Sequence, residues 1–92
     1  MELLLAKSLN GHDKGRMYVV LGEDGSDVIL VDGRKRLLDN PKHKRRSHVQ
    51  LVKHFPAKVT ARMQEVDRWT DERVRIIIGI YLKEPSTAPR TK

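Results

Sequence analysis

The chain has 92 residues, no cysteine and a formal net charge of +7. That length holds one domain with a modest core. Missing thiols exclude disulfides and thiolate metal sites and fit a reducing, cytoplasmic setting. Leu3 to Ala6 is too short for a secretory apolar region, so no leader is expected. Ile76 to Leu82, the longest apolar run, is far short of a bilayer span, so no membrane partner is expected either.

In chain order, the first 54 residues read as short strands punctuated by turns. Leu3-Leu4-Leu5-Ala6 opens an apolar run that ends near Asn10-Gly11. Met17 to Leu21 is β-branched and aromatic, and too short for a helix between glycines. Asp24-Gly25, Val28 to Val31, Asp32-Gly33 and Leu37-Leu38 follow. Asn-Gly and Asp-Gly favour type I′ hairpin turns, whose two central residues both need φ > 0. Three such pairs predict an antiparallel meander. Asp39 to Arg46 reads as a basic loop and His48 to Val52 as a last strand with one buried face. Rolling these strands into a small barrel would hide their edges.

Past Pro56 the pattern turns helical. Ala57 to Asp67 carries Val59, Met63 and Val66 at helical spacing. Thr70 reads as an N-cap, with Asp71 and Glu72 in the first turn of a second helix. Val74, Ile77, Ile78 and Tyr81 form its apolar stripe. The β-branched run Ile76-Ile77-Ile78 offers a strand instead, but the cap and acidic first turn decide for helix. Pro85 stops it. The expected organisation is a barrel over 1–54, a helical extension over 55–84 and a disordered tail over 85–92.

The charge is unevenly spread. Residues 1–33 carry net −3, residues 34–54 net +7 and residues 55–92 net +3. So concentrated a positive block points to a polyanion, nucleic acid before membrane. Arg34, Lys35 and Arg36 follow a tight turn; on a strand, Arg34 and Arg36 would share one face. Lys42, Lys44, Arg45 and Arg46 sit in a loop able to follow a curved anionic backbone. The expectation is that the cations between 34 and 46 converge into one continuous surface. Roughly four to six phosphate contacts would give a log–log salt slope of about −3 to −5.

The stretch Gly11-His12-Asp13-Lys14-Gly15-Arg16-Met17-Tyr18-Val19-Val20-Leu21 looks like a KOW motif. With the Asp32-Gly33-Arg34-Lys35-Arg36 turn and the Asn40-Pro41-Lys42-His43-Lys44 loop, residues 3–52 resemble short bacterial KOW-domain proteins. These are related to eukaryotic- and archaeal-type large-subunit ribosomal proteins. The resemblance implies a mainly β fold: an SH3-like barrel, here with a C-terminal α-helical appendage. It implies RNA binding, often at the ribosome, with the loop from Gly11 and the basic loop after Leu38 near the RNA. The candidate contacts are His12, Lys14, Gly15, Arg16, Arg34, Lys35, Arg36, Lys42, His43, Lys44, Arg45, Arg46 and His48. Gly15, between two cations, permits φ > 0 and close backbone approach.

The four aromatics, Tyr18, Phe55, Trp69 and Tyr81, are not interleaved with the basic blocks. That is poor material for a single-strand stacking platform and suits structured RNA better. His12, His43, His48 and His54 match no compact zinc spacing, so no metal or cofactor is expected. No nucleophile–base pair or phosphate-cradling loop points to an enzyme; Asp13 reads as a residue ordering its own loop. The rival reading is a protein-interaction or self-associating module, binding a protein partner or a second copy through the Ile-rich C-terminal segment.

Overall fold

The computed structural model describes residues 4–83. The expected disordered tail, 85–92, lies outside the described residues, as does Leu3. The strands are β1 (Leu4–Ser8), β2 (Met17–Asp24), β3 (Asp27–Val31), β4 (Lys42–Arg45) and β5 (Val49–Val52). The helices are α1 (Ala57–Gln64) and α2 (Asp71–Lys83), and a single 3₁₀ turn, Arg46–His48, joins β4 to β5. The five strands form one sheet in the order β4-β3-β2-β1-β5, antiparallel throughout. Four consecutive strands thus make a meander, and β5 returns to pair with β1.

Both faces of the sheet are apolar, because strand alternation sends successive side chains opposite ways. Leu5, Met17, Val19 and Val31 lie on one face and pack with Val74, Ile77 and Ile78 of α2. Each of those three helix residues contributes roughly 1.5–3 kcal/mol of transfer free energy on burial. The Ile-rich segment therefore helps build this chain's own core. The opposite face gathers Ala6, Tyr18, Val28, Leu30 and Val49, all from strands. Cross-strand partners agree: Leu5 faces Val19, and Ala6 faces Tyr18. The β2–β3 register shifts between Val20 and Gly22, which leaves Leu21 as a bulge that bends and twists β2.

Thr70 caps α2 as its sequence predicts: its Oγ1 accepts the Arg73 N–H at 3.1 Å. Phe55 meets Tyr81 edge to face with centroids 6.1 Å apart, tying the last turn of α2 to the chain before α1. α1 ends three residues earlier than expected. The N–H of Glu65 is shared between the carbonyls of Arg62 and Met63, so the last turn tightens and stops.

The basic loop expected over Asp39 to Arg46 contains β4, which pairs with β3 from Leu30↔Lys42 to Asp27↔Arg45. Leu37-Leu38 is not a strand. Leu38 packs on the helix-side core and its N–H is taken by Asp71 Oδ1 at 2.8 Å. Of the three expected hairpin pairs, only Asp24-Gly25 sits in a tight hairpin, between Asp24 and Asp27. There Gly25 has φ +63° and Ser26 does not have positive φ, which fits a II′ turn rather than I′. His48 lies in the 3₁₀ turn, so the last strand starts at Val49. Among the described residues, no helix is long and apolar enough to cross a membrane.

Candidate nucleic-acid interface

Two loops build the site, and each is organised by one aspartate. The first joins β1 to β2 over residues 9–16. Its Asp13 carboxylate is buried and accepts from Ser8 Oγ at 2.8 Å and Tyr18 OH at 2.7 Å. Lys44 Nζ donates to Asp13 Oδ1 at 3.1 Å and to the Asn10 carbonyl at 3.0 Å. Lys42 Nζ stands 3.3 Å from Asp13 Oδ2. Burial alone would push this carboxyl up. The hydrogen bonds from Tyr18, Ser8, Lys44 and Lys42 outweigh it and hold the group well below the usual carboxylate range. Burial, and then the same carboxylate on its hydroxyl, push the Tyr18 phenol well above its ordinary value.

The second loop, residues 32–36, leaves β3. Asp32 Oδ1 accepts three successive backbone N–H groups, from Arg34, Lys35 and Arg36, at 2.9, 3.0 and 2.9 Å. The Arg36 carbonyl accepts from the N–H of Asp32 and of Gly33. The side chain of Asp32 thus replaces a strand ladder with a tight local turn. Arg34 and Arg36 therefore do not share a strand face; with Lys35 they sit on a compact loop.

The two loops meet over a shallow depression of about 280 Å³, lined by His12, Arg16, Tyr18, Lys35, Arg36, Lys42 and both aspartates. Both carboxylates are occupied by partners within the fold. Among the described residues, no ion pair engages Arg16, Lys35 or Arg36. The cleft therefore presents three cations without an ion-pair partner among the described residues, with Lys42 on its wall. Lys14, Gly15 and Arg34 sit exposed on the same two loops. Gly15 has φ +91° and its N–H closes the loop onto the Ser8 carbonyl at 2.8 Å, so it serves the turn.

The continuous 34–46 surface expected from sequence is instead divided. β4 alternates, sending Lys42 and Lys44 toward Asp13 and leaving the intervening His43 and the last residue, Arg45, more exposed. The Lys44 side chain is only 11% exposed and is consumed by the fold. Just past β4, Arg46 pairs with Glu23, and within the strand His43 Nδ1 stands 3.9 Å from Asp24 Oδ2. Arg45 and Arg46 line a second depression, of about 480 Å³, beside the β2–β3 hairpin. His48 is half-buried, and its carbonyl accepts the Leu9 N–H at 2.8 Å.

Sequence reasoning treated Asp13 as a local loop organiser and missed its reach to β4, 31 residues away. It also missed Asp32 and Tyr18. Among the described residues, no group of three or more histidine, aspartate or glutamate side chains is placed to hold a metal ion. No known family model matches the chain, and no curated protein matches it.

Proposed function

We propose that this protein is a cytoplasmic, ribosome-associated RNA-binding protein that grips structured RNA at the cleft between the 9–16 and 32–36 loops. The carrying observation is the convergence of Arg16, Lys35 and Arg36, none ion-paired among the described residues, on one concave surface. Phosphate neutralisation by such side chains releases counterions and drives association, and arginine adds bidentate geometry. Lys14 and Arg34, exposed on the same two loops, would extend the path for a backbone.

We infer further that the sheet is an SH3-like barrel of KOW type. Three features support this. The strand order places β5 beside β1, a 3₁₀ turn links β4 to β5, and the strand-only cluster around Leu30 is buried without help from a helix. A flat sheet would leave that face wet; a curled one covers it. The KOW-like residues Gly11 to Leu21 span the first loop and β2, where the cleft lies. The self-association reading draws less support, since Val74, Ile77 and Ile78 face the chain's own sheet.

A paired substitution tests the division of the basic block. Arg16→Ala is expected to weaken binding of a labelled hairpin RNA and shrink the salt slope by about 0.7–0.9, leaving the melting temperature nearly unchanged. Lys44→Ala is expected to do the reverse, lowering the melting temperature with little change in slope. Fluorescence anisotropy across a salt series, with thermal melts of both variants, reads this directly. Equal loss of slope in both would return Lys44 to the binding surface.

A further inference from the structure

The 32–36 loop is tied to α2 at both ends. Arg75 Nη1 donates to the Gly33 carbonyl at 2.7 Å, and the Leu38 N–H donates to Asp71 Oδ1 at 2.8 Å. These bonds reach 42 and 33 residues along the chain, one at the start of the loop and one just beyond it. Between them the helix and the loop touch at backbone distance. A Cβ added to Gly33 would lie 2.5 Å from the Asp71 carbonyl oxygen and 2.7 Å from Arg75 Cγ. Gly33 also has φ +77°, so glycine is required there twice over, by conformation and by space.

Nothing in the cleft chemistry needs a helix at this place. The loop is already folded internally by Asp32. The extra ties fix where the folded loop stands relative to Arg16 and Lys42. A cationic loop held in place before binding loses less conformational freedom when it meets phosphate.

We propose that Asp71 and Arg75 are positioning residues for the RNA-binding loop, holding Lys35 and Arg36 at the cleft without touching RNA themselves. The proposal rests on the RNA-binding reading of the cleft. It gives the helical segment a role in the site: α2 sets the affinity of a surface built from the sheet's loops. Arg75 acts through its bond to Gly33, and its charge is not the point.

The test is a mutant cycle on the full chain, using a labelled hairpin RNA and a salt series. Arg75→Ala is expected to weaken binding about five- to twenty-fold at about 0.15 M salt and to shrink the slope by up to about 1.8, as for two lost phosphate contacts. In a Lys35→Ala/Arg36→Ala background the same change is expected to alter affinity less than about two-fold, because the contacts it positions are already gone. Gly33→Ala changes no charge and is expected to reproduce the loss. Should Gly33→Ala fail to fold, the Arg75 cycle decides alone.

Two outcomes overturn the proposal. Arg75→Ala binding as wild type is one. An undiminished Arg75→Ala loss in the double-variant background is the other, and would make Arg75 a phosphate contact in its own right. Failure of the underlying reading looks different: Lys35→Ala/Arg36→Ala would itself bind with wild-type affinity and slope.

Discussion

Asp13→Ala is expected to lower the melting temperature by well over 10 °C near neutral pH. The substitution strips four donors, from Ser8, Tyr18, Lys42 and Lys44, of one shared acceptor. The Lys44 side chain is as buried as the carboxylate, at 11% exposure, and Lys42 is at 26%. Leaving a buried charge without its partner costs about 3–5 kcal/mol. Because Lys42 is partly wet, about 3 kcal/mol is the fitting magnitude here. For a domain of this size, each kcal/mol shifts the melting temperature by about 4–8 °C.

The same site gives stability a pH profile at both ends. The Asp13 carboxyl is held lower in the folded chain than in the unfolded one. Its contribution is therefore complete above the ordinary carboxylate value, near 3.8, and is lost as pH falls below it. The Tyr18 phenol is raised on folding, so its neutral form is favoured in the fold. That contribution is complete below the ordinary value of 10.0 and is lost as pH climbs past it. Thermal melts from pH 2 to 11 should show a plateau flanked by two falls. Asp13→Ala should flatten the acid fall and Tyr18→Phe the alkaline one. An unchanged acid limb in Asp13→Ala would remove Asp13 from the centre of this fold.

Arg16→Ala/Lys35→Ala/Arg36→Ala is expected to weaken binding of a structured RNA on the order of a hundred-fold at about 0.15 M salt. Each lost phosphate contact removes about 0.7–0.9 from the log–log slope, or roughly 0.6–0.7 log units of affinity at that salt. Three contacts should therefore shrink the slope by about 2 to 3. Folding should survive, since none of the three side chains is ion-paired among the described residues. A matched triple change at His43, Arg45 and Arg46 should cost far less, because two of these already face Glu23 and Asp24. Equal losses from the two triples would mean that both ends of β4 touch the RNA.

The parts of the fold marked by apolar runs or stripes were readable from the chain. β2 and β3 carry short β-branched apolar runs between turn signals, β5 alternates in part, and α2 carries a stripe beneath a Thr70 cap. β4 was not readable, because Lys42-His43-Lys44-Arg45 has no apolar residue to mark its inner face. Its inward positions are lysines, and the acceptor that lets them face inward is a carboxylate far away in sequence. Leu37-Leu38 misled in the opposite sense: Leu38 is apolar because it packs under α2, not because it belongs to a ladder.

The candidate site was half legible for the same reason. Local composition picked out the basic loops, and the cleft brings Arg16, Lys35 and Arg36 together as a charge cluster should. Which cations stay unpaired depends on Asp13, Glu23 and Asp24, and their partners are set by register rather than by neighbourhood in sequence. Asp32 could have been anticipated, since an aspartate before glycine often folds the next residues onto its own side chain. The clamp from Asp71 and Arg75 could not, because it joins positions more than thirty residues apart.

An NMR titration of the ¹⁵N-labelled chain with a hairpin RNA would place the contact surface most directly. Amide shifts concentrated in residues 11–16 and 32–36, with little movement at 23–26 and 45–47, are the predicted result. Shifts centred on the β2–β3 hairpin or on α2, or no saturable shift at low salt, would contradict it.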